Sequence, residues 1–115
     1  MTLIRLPDYL DHMRQAVADA QSFTEGMAQE DFEQDKRTQQ AVVMSLIVLG
    51  EAATKVMDQH PAFAEEHKQI PWRSMRGMRN RIAHGYFDIN LDVVWETVQG
   101  ALPVLKNQLN ALPLG

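Results

Sequence analysis

Between Arg73 and Tyr86 the chain reads Arg73-Ser-Met-Arg76-Gly-Met-Arg79-Asn80-Arg81-Ile-Ala-His84-Gly-Tyr86. On a helix, Asn80 and His84 are four apart and share a face, with Arg76 one turn further back on it. Arg79 stands five residues before His84 and points elsewhere on an ideal helix. Its long side chain, or relaxation of the last turn at Gly85, would bring it round, and a second copy of the chain could also supply it; periodicity does not choose between these. Histidine moves protons near neutral pH. Arginine carries a permanent charge and a forked set of donors suited to phosphate. Together they are the minimum for cleaving RNA without a metal. A base takes the proton of the ribose 2′-OH, the oxygen attacks the adjacent phosphorus, and Arg stabilises the charge gathering there. The products are a 2′,3′-cyclic phosphate and a 5′-hydroxyl.

The same residues have plain structural readings. A lone His near a helix end suits capping the last carbonyls. Four Arg on one helix suit a solvated face, or salt bridges to an acidic body. The charge distribution gives the second reading substance. The whole chain carries −4, yet His67 to Phe87 holds no Asp or Glu and five Lys or Arg, for a local +5. The rest is therefore at −9. A basic island on an acidic body makes any affinity for nucleic acid local and strongly salt-dependent.

Other constellations are weaker. His12, His60 and His67 have no metal-ligand spacing, so no metal site and no cofactor is expected. Glu51 and Lys55 form an i,i+4 pair of structural type. Glu51 falls in a strongly apolar helix, where an unpaired buried carboxylate is costly, so it is expected to face the Arg-rich helix. There is no Gly-rich phosphate loop and no nucleophile elbow.

The elements that position these residues read as four main helices split by Pro and Gly. The first runs from about Pro7 to Gly26, with Leu6, Leu10, Met13, Val17, Ala20 and Met27 as its apolar stripe. A polar stretch follows, with a short helical turn around Phe32. The second long helix spans about Asp35 to Gln59 and stops before Pro61. From Ala41 to Leu49 it is apolar nearly all round, so it is buried on several sides. In a domain this small one of those sides is expected to meet a second copy, with Val43 and Ile47 in the seam. Residues 62–68 form a short connector. The third helix starts at Pro71 and ends near His84, before Gly85, with Trp72, Met75, Met78 and Ile82 inward. The fourth begins after Asn90, a natural N-cap. Leu91, Val94, Trp95, Val98, Leu102, Leu105 and Leu109 face inward, and Pro103 is expected to bend or break it. The expectation is an all-α, antiparallel four-helix bundle with a short fifth helix, homodimeric.

Composition agrees. A chain of 115 residues, 45% apolar and 7% aromatic with seven Met, suits one domain of packed helices, residues 1–115. The absence of cysteine rules out disulfides and thiolate chemistry and fits a reducing cytoplasm. Residues 1–9 lack the basic region and apolar run of a signal peptide. The apolar run from Ala41 to Leu49 is well short of the about 20 residues a bilayer needs, so no membrane span is expected.

The motif Arg79-x-x-x-x-His84-x-Tyr86, with Asn80 after the Arg, resembles the signature of the HEPN superfamily. The wider chain resembles its HepT-type toxin branch. Asp35-Lys36-Arg37-Thr38-Gln39 before the apolar helix is similar to that branch. So are Gly50-Glu51-Ala52 within it, Ile70-Pro71-Trp72 opening the next, and Val94-Trp95 in the last. The resemblance implies a dimeric helical bundle whose Arg and His gather in a cleft between protomers and cut RNA without metal. It makes Arg79 and His84 the catalytic pair and Asn80 their support, with Arg73, Arg76 and Arg81 left to bind RNA. It further implies a toxin paired with a nucleotidyltransferase antitoxin, MntA-like, which attaches AMP to Tyr86. The added bulk and negative charge would block RNA. The alternative within the same family is a non-catalytic binding or scaffold partner of the nucleotidyltransferase.

Overall fold

The computed structural model describes residues 5–113. The first four residues of the N-terminal stretch read above lie outside them. Helices α1 (Leu6–Phe23), α2 (Gln29–Gln34), α3 (Lys36–Gln59) and α4 (Pro61–Glu66) are followed by α5 (Trp72–His84), α6 (Leu91–Glu96) and α7 (Leu102–Asn110). No strand occurs among the described residues.

Helix α3 is the axis of the fold and packs chiefly against α1 on one side and α5 on another. Its start is set by Asp35, whose carboxylate accepts from the Thr38 backbone N–H at 3.1 Å and its hydroxyl at 2.9 Å. Those bonds, the backbone one foremost, hold the Asp35 carboxyl below its usual range. By length and composition α3 could cross a bilayer, but more than half of its apolar stretch is buried among neighbouring helices. Helices on several sides thus account for most of the apolar run.

The short helix expected around Phe32 is α2. The Phe32 ring is fully buried and lies 5.4 Å from the Trp95 ring, tying α2 to α6. The Gln39 amide donates to the Phe32 and Glu33 carbonyls, which satisfies the end of α2. The connector at 62–68 is α4 and its exit, where the Trp72 indole N–H donates to the His67 carbonyl at 3.1 Å.

Asn90 caps α6 as its type predicts, its side-chain oxygen accepting from the Asp92 and Val93 N–H groups. The proline in the last helix does not break the segment. A π-helical turn, Thr97–Ala101, separates α6 from α7, and Pro103 falls in the first turn of α7. A proline lacks an N–H and crowds the carbonyl four residues back; the wider π turn accommodates both. Val94, Val98, Leu102, Leu105 and Leu109 therefore stay buried on both sides of it.

Val43 and Ile47, the residues expected at a seam with a second copy, lie against the protomer's own core. Val43 is only 4% exposed and belongs to the protomer's own core, and Ile47 is partly buried against that core. The exposed apolar side chains of α3 are Met44, at 58%, and Val48. Neighbouring elements already cover the Val43 side of α3, a fact the helix's own periodicity does not carry.

Candidate active site

Helix α5 carries the motif, and its apolar residues Trp72, Met75 and Ile82 anchor it. The chain remains α-helical through His84, with Gly85 as the capping position at φ −128°. No relaxation of the last turn occurs, so Arg79 and His84 leave the helix about 140° apart.

Helix α5 comes close to α3 at Gly50. A Cβ on Gly50 would stand 2.6 Å from Cβ of Arg79 and 2.6 Å from the Met75 carbonyl oxygen. This approach lets Glu51, the next residue, reach the motif arginine. Glu51 Oε2 accepts from Arg79 Nη1 at 2.7 Å, and Lys55 Nζ lies 4.0 Å from the other carboxylate oxygen. Glu51 faces the Arg-rich helix as expected, though not because it is buried, since its carboxylate is half exposed. From the opposite direction, the Asn80 side-chain oxygen accepts from Arg79 Nε at 3.1 Å and Nη2 at 2.8 Å.

The Arg79 guanidinium is thereby held on two sides. Each terminal nitrogen makes one of its two possible hydrogen bonds and keeps one N–H without a partner among the described residues. A held, charged fork with two donors to spare suits the oxygens of a phosphate. Asn80 links the pair: it grips Arg79, and its helix face carries the exposed His84 one turn on.

The remaining arginines differ in role. Arg76 Nη2 donates to Asp58 on α3 at 2.8 Å, so part of its charge is already matched, while its Nε is buried with no partner. Arg73 is exposed and lines a polar groove with Arg76 and Lys68. Arg81 lies apart from them, at the mouth of an apolar cleft between α5 and the α6–α7 segment, with Thr97 and Leu102. The structure thus brings Arg79, Asn80 and Glu51 into one cluster, with His84 and Arg73 on the adjoining flank. Among the described residues no three His, Asp or Glu side chains converge as a metal site.

Tyr86 and Phe87 follow in a short 3-10 turn, Tyr86–Asp88. Tyr86 is 48% exposed, and Phe87, which residue-type reasoning passed over, is 98% exposed. Its signal is an aromatic outside any apolar periodicity, directly after the motif.

One face of α3 connects the site to the exposed apolar edge. Met44, Val48, Glu51, Lys55 and Asp58 recur at alternating steps of four and three, forming a single stripe. Its apolar end, with Phe23 of α1, borders a shallow groove between α1 and α3. Its charged end holds Arg79 and Arg76.

The comparisons with known proteins point one way. A family described as Ribonuclease HepT-like matches residues 13–112. A protein of Thermococcus cleftensis named "Probable ribonuclease HepT" is 37% identical over 105 residues, spanning 91% of this chain and 93% of that protein. "Putative RNase TTE0752" of Caldanaerobacter subterraneus subsp. tengcongensis is 33% identical over 104 residues, 90% of each. No solved structure matches.

Proposed function

The chain belongs to the HepT-like ribonuclease family, within the HEPN superfamily, and from that premise we propose that it is a metal-independent endoribonuclease acting as a toxin. The observation that carries the reading is an Arg79 guanidinium held by Glu51 and Asn80, on the same helix as an exposed His84 and with no acidic residue on that helix. In this mechanism His84 takes the 2′-OH proton, the 2′-oxygen bonds to phosphorus, and the bond to the 5′-oxygen breaks. The 5′-oxygen leaves with a proton returned by an imidazolium or by water. Arg79 balances the charge on the non-bridging oxygens throughout. Asn80 and Glu51 keep the guanidinium in place. Arg73, Arg76 and Arg81 supply phosphate contacts along the strand.

The working form is a homodimer. Within one helix Arg79 and His84 diverge by about 140°, so one protomer's Arg79 with the other's His84 makes a compact site. The α3 stripe favours this arrangement, because a second copy covering Met44 and Val48 would border the Glu51–Arg79 cluster. Met44→Glu places a charge on that exposed edge without touching the protomer core. It should give a folded monomer by light scattering, with unchanged helix content and lost RNA cleavage. An undisturbed dimer would move the seam elsewhere.

Control by a nucleotidyltransferase antitoxin, MntA-like, fits the same geometry. The hydroxyl of the half-exposed Tyr86 would lose its proton to a base of the antitoxin and attack the α-phosphorus of ATP, releasing pyrophosphate and leaving AMP two residues from His84. The added negative charge would repel RNA. Such a pair would operate in the cytoplasm, where RNA and ATP are at hand.

The test is RNA cleavage by purified protein in EDTA, with the intact mass taken on the same sample so that a modified Tyr86 is recognised. Unmodified protein should cut and leave 2′,3′-cyclic phosphate ends. Unmodified protein inert toward tRNA, mRNA and rRNA would favour the non-catalytic partner of a nucleotidyltransferase.

A further inference from the structure

We propose that Tyr86, Phe87 and the groove beside them form a binding site for one unpaired RNA base next to the bond that is cut. The inference rests on the ribonuclease reading and adds to it a substrate class, single-stranded RNA, and a residue, Phe87, that selects it.

Three observations carry it. Phe87 is 98% exposed, so its ring contributes nothing to the protomer's core and both its faces are open to a ligand. The turn that presents it is fixed by the Asp88 N–H donating to the Gly85 carbonyl at 2.9 Å. The Tyr86 and Phe87 rings stand edge to face with centroids 6.0 Å apart. Two nearly perpendicular rings offer a face for stacking and a wall against which a base can abut. Beside them lies a groove of about 370 Å³, lined by Lys36, Gln40, Val43 and Leu91 among others.

The groove's chemistry matches a nucleotide. Ile89 and Leu91 give an apolar wall for a base, the Gln40 amide offers donors and an acceptor for a base edge, and Lys36 offers a cation for a phosphate. Phe87 lies only three residues beyond His84, so a base stacked there is within a nucleotide or two of the reacting 2′-OH. A paired base has both faces already covered, so the site favours loops and unpaired ends. AMP on Tyr86 would compete for the same groove, adding a direct block to the electrostatic one.

The test uses a 2′-O-methylated pentanucleotide with 2-aminopurine at its centre. It cannot be cut because its 2′-oxygens carry no proton, and its fluorescence falls when the base stacks. Wild type and His84→Ala should both bind and quench it. Phe87→Leu keeps the apolar bulk without the ring face. It should lose the quench, bind roughly 5- to 150-fold more weakly, and raise KM for cleavage with kcat little changed. Phe87→Trp should retain all three properties. Equal affinity and quench in Phe87→Leu would overturn the proposal. So would an unchanged RNA affinity with a shifted oligomeric state, which would make Phe87 a protein contact. Quenching by a wild type that cuts nothing would instead retain the base site and remove the ribonuclease reading.

Discussion

RNA cleavage should fall by at least 100-fold in His84→Ala, and by a similar factor in Arg79→Ala, with both proteins folded and dimeric. A positioned general base contributes about 10²–10⁴ in rate. A preorganised donor to the developing charge contributes on the order of 10²–10³. His84 is exposed and Arg79 bonds only through its guanidinium, so neither substitution opens the core. If the two act on one phosphate, the double variant should be little worse than either single one, as for groups that work as a unit.

The same variants report how the site is composed. In a mixed dimer of Arg79→Ala and His84→Ala protomers, a site built across the interface would once hold both mutations and once neither. Mixing two inactive proteins should therefore restore cleavage. The divergence of the two side chains along a regular α5 predicts this recovery. No recovery after confirmed subunit exchange would locate each site within one protomer. Glu51→Gln should have a smaller effect than either, because Asn80 still grips the guanidinium through two bonds.

Gly50→Ala should be the most destabilising small substitution on α3. The added methyl would meet Cβ of Arg79 and the Met75 carbonyl oxygen, both at 2.6 Å. These are a side-chain root and a backbone atom, so neither can swing aside; α5 itself must move. Overpacking of this kind costs about 1–3 kcal/mol, which lowers Tm by roughly 5 °C or more in a domain of this size. The displaced helix would also pull Arg79 from Glu51, so cleavage should fall as well. Gly100→Ala is the control. Nothing lies within 4 Å of its would-be Cβ, so thermal unfolding should be unchanged or slightly raised. Equal Tm values for the two variants would mean that α3 and α5 do not approach at Gly50.

Much of the fold was legible because helices are written locally. Pro61, Pro71 and Asn90 mark boundaries through backbone chemistry that needs no partner, and each lies where the structure begins or ends a helix. The inward stripes of α1, α5 and the C-terminal segment also follow from spacing alone, since burial repeats with the helical period. The motif's order, with Asn80 and His84 on one face, comes from the same geometry.

Other features depended on which helix lies against which. The apolar run in α3 carries no sign of which flank its own protomer covers, so Val43 falls inside and Met44 outside only once α1 and α5 are in place. Pro103 announced a disturbance, but whether it would break the helix or widen one turn depended on the need to keep Leu102, Leu105 and Leu109 in the core. Glu51 and Arg79 are 28 residues apart, and their pairing exists because Gly50 lets two backbones approach. From its residue types and spacing alone, the sequence determined an all-helical chain, a basic island, and the order of Arg79, Asn80 and His84 along one helix. The tertiary structure decided that Arg79 is held between Glu51 and Asn80, that Arg81 stands apart, and that Phe87 stands in solvent. Contacts between distant segments arise from packing, and packing is a property of the whole chain that no local period contains.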